Sequence, residues 1–316
     1  MTHTPVMLDE VLAALLPRDG EVYVDGTFGA GGYTQGILQS ADCTVIAIDR
    51  DPGAIANAKT MAADYDGRLI AVHGAFGDAL ELVHAAGFRQ VDGFVIDIGV
   101  SSMQIDDPAR GFSFRFDGPL DMRMDPSAPS PTAADMVNGM AEDDLANLIY
   151  RYGGERASRR IARRIAQARE EEKIHTTSRL ASIIRAAIPR MAKDKIDPAT
   201  RTFQALRIAV NDELGELERA LTAAEALLKP GGRLVVVTFH SLEDGIVKAF
   251  LYSRSGRIPS ASRHMPVSDV ALAPPTFTLP SRKALEAGEA EIARNPRSRS
   301  ARLRAAIRTD VPGGAA

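Results

Sequence analysis

Glu21-Val-Tyr-Val-Asp25 runs without interruption into Gly26-Thr-Phe-Gly-Ala-Gly-Gly32, so an apolar strand delivers a carboxylate straight into closely spaced glycines. The next residues, Tyr33-Thr-Gln-Gly-Ile-Leu-Gln39, read as a short helix. The turn between them would place backbone N–H groups and a positive helix dipole at the top of the first strand. Glycine suits that turn because a Cβ would block both the tight bend and the approach of a ligand to the backbone. A nucleotide-like ligand with a polar or negative end is expected there. The nicotinamide fingerprint fits less well, since counting from Gly29 and Gly31 places its third glycine on Thr34.

Working outward, Cys43-Thr-Val-Ile-Ala-Ile48 is a second apolar, β-branched run, and it ends in Asp49-Arg-Asp-Pro52. A carboxylate at the end of the second strand can accept both ribose hydroxyls of an adenosine. Pro52 then opens a helix. Leu69-Ile-Ala-Val-His-Gly74 and Val91-Asp-Gly-Phe-Val-Ile96 read as strands three and four, with helices between. Such alternation predicts an α/β fold with a parallel sheet covered by helices on both faces. Ligands on these sheets bind at the carboxyl ends of the strands, and Asp25, Asp49 and Asp97 all fall there. Phe76, after strand three, suits either helix packing or the wall of an adenine pocket.

With 316 residues, 45% of them hydrophobic, the chain suggests about two globular domains. No apolar run approaches the ~20 residues of a membrane span, and no basic region followed by an apolar signal core opens the chain; a cytoplasmic protein without a membrane partner is expected. Cys43 is the single cysteine, which excludes an internal disulfide, and the six histidines show no metal-ligand spacing. No metal site is predicted. The net charge is −3, yet Arg151 to Arg169 holds seven arginines against one glutamate, and Arg282 to Arg308 eight basic residues against three acidic ones. Basic patches on a mildly acidic body suggest a polyanionic partner.

After Asp97-Ile-Gly-Val-Ser-Ser102 the alternation breaks. Met103 to Asp125 is polar, irregular and crowded with aromatics, as a functional loop would be. Helical patterns follow from about Thr132 to Arg190, then a break at Lys193-Asp-Lys-Ile-Asp-Pro198, then one long helix from about Thr202 to Leu228. Lys229-Pro-Gly-Gly232 stops that helix before a fifth strand, Gly232 to Phe239. The expected organisation is a discontinuous sheet domain, residues 1–104 and 201–316, with a mainly helical domain inserted over 105–200. Phe112, Phe114 and Phe116 alternate with Arg110 and Arg115 in that insertion. At least two of these rings are expected to be buried against the insertion, and one could stack on a base, while Arg110, Arg115 and Arg123 could hold phosphates. His240 and Ser241 follow strand five, and without a Gly-x-Ser-x-Gly elbow they point to substrate positioning.

Several blocks carry a resemblance: His3-Thr-Pro-Val-Met-Leu-Asp-Glu10, Asp25 to Gly29, Asp49 to Pro52, Asp97 to Ser102 and Arg110-Gly-Phe-Ser-Phe114. They continue with Asp117-Gly-Pro-Leu-Asp-Met-Arg-Met-Asp125, Arg201-Thr-Phe-Gln-Ala-Leu-Arg207, Phe239-His-Ser-Leu-Glu-Asp244 and Asn295-Pro-Arg-Ser-Arg-Ser300. In this order the chain resembles the bacterial small-subunit ribosomal RNA (cytosine-N4)-methyltransferases. The resemblance implies a Rossmann-like sheet and an S-adenosyl-L-methionine (SAM) cofactor. Its amino-acid end would meet Gly31, Gly32 and Tyr33, its ribose Asp49, its adenine Phe76, and its reactive end Asp97 and Gln104. The family often has histidine where Tyr33 stands. The implied substrate is a cytosine in the decoding region of 16S RNA, within the small ribosomal subunit.

Cytosine's exocyclic amine is a poor nucleophile until hydrogen-bond acceptors draw on its hydrogens, and Asp97 is the expected catalytic acceptor, with Phe112, Arg110, Arg123 and His240 toward the RNA. Two other classes share part of this pattern. A nicotinamide-dependent dehydrogenase would share Asp49 and the sheet but should show the full glycine fingerprint. A non-catalytic RNA-binding ribosome assembly factor would explain the arginines but not three carboxylates around a glycine turn. These residues leave a homodimer open.

Overall fold

A computed structural model describes residues 5–188, 196–256 and 274–312. The first residues of the His3 to Glu10 block, and Lys193 to Lys195 of the expected break, lie outside the described residues.

The strands are β1 (Val22–Asp25), β2 (Thr44–Asp49), β3 (Leu69–His73), β4 (Val91–Asp97), β5 (Leu228–Thr238), β6 (Phe277–Thr278), β7 (Leu285–Glu286) and β8 (Arg302–Arg308). They form one sheet in the order β3-β2-β1-β4-β5-β8-β6, with β7 also paired to β8. β1 to β5 are parallel. β8 runs antiparallel to β5, with β6 and β7 on its other side, so the Arg302 to Arg308 segment closes the parallel part without being an edge.

Side chains alternate across a strand, and the sequence exploits that period on both faces. Val24, Ile46, Ile48, Phe94, Ile96, Leu234 and Val236 point to one side, where helices Ala79–Ala85, Glu213–Leu227 and Ser241–Arg254 cover them through Val83, Leu217, Leu221 and Val247. Tyr23, Val45, Ala47, Val95, Val235 and Val237 point to the other, beneath helices Leu8–Leu15, Gly32–Ser40 and Pro52–Ala62. This is a doubly wound, Rossmann-like α/β sheet, in which the ligand edge is the carboxyl end of the strands.

The chain divides into two compact units, residues 1–99 with 214–316, and residues 100–213. The junctions therefore differ from the expected 104/105 and 200/201. Helix Ala199–Asn211 shares a core with Leu145, Ile149, Leu180 and Ile184, through Phe203, Leu206 and Val210, and so groups with the insertion. The long helix expected from Thr202 to Leu228 is two helices, Ala199–Asn211 and Glu213–Leu227, because Asp212 takes a left-handed conformation with φ 48°. Periodicity ran through that residue, but a single left-handed position ends a helix whatever its neighbours prefer.

In the inserted unit, helices Ala133–Gly139, Glu142–Gly153, Ser158–Glu171 and Thr177–Ala187 enclose their own apolar core. The irregular loop before them is folded onto that core by Leu120 and Met122, both buried. Asn211 secures it: its amide nitrogen donates to the carbonyl of Met122 at 2.8 Å, and its oxygen accepts the N–H of Met124 at 2.8 Å. Met122 holds φ 64°, an uncommon conformation for a side chain of its size.

Asn211→Ala leaves a buried N–H and a buried carbonyl without partners, each costing about 1–3 kcal/mol. Urea unfolding followed by hydrogen exchange should show lower stability, with amide protection lost first around residues 120–125. Unchanged protection there would show that the loop is held by its apolar contacts alone.

Candidate functional site

Burial of carboxylates dominates the carboxyl edge of the sheet. Asp25, at the end of β1, is fully buried; it accepts the Thr34 hydroxyl at 2.7 Å and the N–H of Thr27 at 3.1 Å. Burial nevertheless outweighs these donors and raises its pKa to about 6. Thr27 in turn ties β1 to β4, since its hydroxyl accepts the N–H of Asp97 at 2.7 Å.

Asp97 has a different environment. Its Oδ1 is shielded from solvent and has no hydrogen-bond partner. Burial first, then the charges of Asp25 and Glu243, push its carboxyl well above the usual carboxylate range, with the Tyr33 hydroxyl acting in the opposite direction. Gly99, two residues on, holds φ 134°, and a Cβ there would have Phe239 at 3.8 Å as its nearest neighbour. The end of β4 thus offers a buried acceptor beside open backbone.

Glu243 was not singled out from the sequence, although it lies inside a quoted block. It is fully buried and accepts the N–H groups of Phe239 at 2.8 Å and His240 at 3.2 Å. His240 caps helix Ser241–Arg254 through Nδ1, and its Nε2 lies 2.7 Å from the Glu243 carboxylate without hydrogen-bond alignment. The expected positioning histidine is therefore itself positioned, at the end of β5.

The glycine turn is tightly built. Gly31 holds φ 82°, and a Cβ there would fall 2.7 Å from Met61 and 2.8 Å from the Phe28 ring; one at Gly32 would fall 2.7 Å from Pro5. Helix Gly32–Ser40 starts with no side-chain cap; the Thr34 N–H turns to the Asp25 carboxylate, and the N–H groups of Gly32 and Tyr33 stand at the helix start where a ligand would meet them. Asp49 orders the turn by accepting the N–H groups of Gly29 and Asp51 at 2.7 and 2.8 Å. Burial raises its pKa against these two donors, and each carboxylate oxygen retains a lone pair for a hydroxyl. Tyr33 is buried, its hydroxyl donating to the carbonyl of Val6 at 2.5 Å. Its side chain braces the turn, and a ligand would meet its backbone.

Phe76 is part-buried against the sheet core in the turn after β3. That turn is pinned by Glu216, another residue missed from the sequence, whose carboxylate accepts the N–H of Gly77 at 2.8 Å and pairs with Arg219 at 2.9 Å. The helix start, the ribose-competent carboxylate, the part-buried Phe76 side chain and the partnerless Asp97 oxygen fit the polar and aromatic parts of SAM.

The other expected site residues belong to the inserted unit. Gln104 is buried and closes a capping box with Ser101, its amide oxygen accepting the N–H of Ser101 at 3.0 Å. Arg123 is held by Asp121 through two 2.8 Å bonds and by the Ala128 carbonyl at 2.7 Å. Arg110 donates to the carbonyls of Arg123 and Met124 and lies over the Phe112 ring. Phe112 and Phe114 pack against the core, Phe114 edge-on to Phe203 at 4.8 Å, whereas Phe116 is 67% exposed. Among the described residues no cluster of metal-ligating side chains occurs, and no helix is long and apolar enough to cross a membrane.

The profile of the MraW methylase family matches residues 1–309. The chain is 60% identical over 310 residues to the ribosomal RNA small subunit methyltransferase H of Rhodospirillum centenum, covering 98% of this chain and 93% of that one. It is 57% identical over 310 residues to the protein of the same name from Paramagnetospirillum magneticum, covering 98% and 96%. With the glycine turn, the acidic strand ends and the inserted unit all in place, this chain belongs to the MraW methylase family of SAM-dependent methyltransferases.

Proposed function

We propose that this protein methylates N4 of a cytosine in the decoding region of small-subunit ribosomal RNA, within the small subunit, in the cytoplasm. The observation that carries the reading is the buried, partnerless Oδ1 of Asp97 at the end of β4, beside an uncapped helix start. The names of the relatives supply the class of RNA.

SAM, when bound, supplies a methyl group on a positively charged sulfur. Everything else falls to the protein. Cytosine's amine lone pair is delocalised into the ring, so an acceptor on one N–H hydrogen must pull the nitrogen toward a pyramidal, nucleophilic form. Asp97 is suited to this in its ionised state. Transfer of that methyl would leave S-adenosylhomocysteine and put the positive charge on the amine nitrogen. Its proton then becomes acidic and can leave to Asp97 or water. Holding amine and methyl in line gives the remaining acceleration. The base must leave its stack, which costs a few kcal/mol and least where it is unpaired.

Purified protein incubated with methyl-labelled SAM and unmethylated small subunits should yield labelled N4-methylcytidine after RNA digestion and mass spectrometry. A labelled nucleoside of any other kind refutes the base assignment. Asp97→Asn should lower the single-turnover rate by at least about a hundredfold while S-adenosylhomocysteine (SAH) binding persists. A rate near wild type would remove Asp97 from the chemistry.

Because burial and neighbouring acids keep Asp97 protonated beyond the ordinary carboxylate range, the accepting form grows as pH rises. The single-turnover rate should therefore climb with pH through an apparent value above the usual ~4 of aspartate. A profile flat from pH 4 upward would contradict this.

A further inference from the structure

Two basic stretches mark this sequence, and the structure uses them differently. In the C-terminal one, Arg302 and Arg304 bind Asp244 at 3.2 and 2.7 Å, and Arg308 is buried against the carbonyls of Glu225, Thr276 and Val311. Those three charges are committed to the fold, while Arg282, Lys283, Arg294, Arg297 and Arg299 are exposed.

In the inserted unit, helices Glu142–Gly153 and Ser158–Glu171 pack side by side, and the second buries Ile161, Ala162 and Ile165. Arg159, Arg160, Arg163 and Arg164 are exposed on its outer surface, whereas Arg169 turns inward to the Val137 carbonyl. Arg159 and Arg163 pair with Asp143 and Glu142 of the first helix at 2.9 and 3.6 Å. Arg156, Arg160 and Arg164 are exposed, and among the described residues none of the three is paired with a carboxylate. Arg160 and Arg164, four residues apart, share the outer surface of the helix, and Arg156 sits exposed in the turn that enters it. Like charges at that spacing weaken a helix, and the buried isoleucines already hold this one in place. Tyr150, on the first helix, is 62% exposed; it lies one turn beyond Asn147, which contacts Arg159 at 3.5 Å.

We propose that this surface, Arg156, Arg160 and Arg164 with Tyr150 alongside, docks on the phosphodiester backbone of the substrate RNA. The proposal rests on the RNA reading above and adds where on the inserted unit the RNA backbone is held. Guanidinium groups without carboxylate partners offer forked donors to phosphate oxygens. The exposed Tyr150 ring on the neighbouring helix offers a stacking face to an unpaired base. Contacts of this kind hold an RNA without reading its sequence.

The test is the triple variant Arg156→Gln, Arg160→Gln, Arg164→Gln, which keeps good helix formers on an exposed surface. Affinity for unmethylated small-subunit RNA is measured between 50 and 200 mM salt, beside the wild type, with SAH binding as a control for folding. Three lost phosphate contacts should make the slope of log affinity against log salt shallower by about 2. The KM for small subunits should rise, and SAH affinity should be kept. The corresponding triple lysine variant should restore most of the slope. If wild type binds RNA and the glutamine variant binds with the same slope and affinity, this surface is not the dock. If wild type itself neither binds nor methylates the RNA, the substrate reading fails and takes this inference with it.

Discussion

Desolvation of acidic groups at the carboxyl edge of the parallel sheet is the constraint on which the arrangement depends. A carboxylate removed from water needs donors or it takes up a proton. Asp25 is supplied by Thr34 and Thr27, Asp49 by the N–H groups of the first and second turns, and Glu243 by the two residues after β5. Those donors are the turns themselves, so satisfying the acids also shapes the loops around the ligand edge. Asp97 Oδ1 and Glu243 Oε1 are the oxygens of this group that the turns leave without a donor.

The sheet was readable because its signals are local. Period-two apolar runs ending in an acid and a glycine turn can be recognised within a dozen residues, and β1 to β5 follow that pattern. The residues that escaped reading act across long separations. Glu216 reaches Gly77 from 139 positions away, and Asn211 reaches Met122 from 89. No periodicity announces such pairs. Glu243 lay in a quoted motif but reads as a surface residue of a helix start until the end of β5 is placed over it. The arginines show the same limit from the other side: Arg123 resembles a phosphate ligand in sequence, yet Asp121, two residues earlier, grips it with both oxygens. The Phe112, Phe114 and Phe116 alternation was visible, but only the core could decide that two rings pack and one remains exposed.

The inserted unit carries a core of its own, from Leu120 through Val210, separate from the two cores that flank the sheet. That separation explains why helix Ala199–Asn211 belongs with the insertion even though the helix after it lies on the sheet. One left-handed residue, Asp212, divides their allegiance. It also lets the two units differ in surface character without compromise to either apolar interior.

The position of the insertion has a consequence for how the chain is made. β4 and β5 are neighbours in the finished sheet, but Asp97 and Leu228 are separated by the whole inserted unit. At about 5–20 residues per second of synthesis, β4 emerges roughly 7–26 s before its partner. Throughout that interval Val91, Phe94, Val95 and Ile96 form an unpaired apolar edge, the kind of strand that invites pairing with another chain. Asp92 and Asp97, one near each end of β4, place charge on that edge while it waits. The acid proposed above as the acceptor in the mature protein thus also puts charge on the waiting edge of the nascent one.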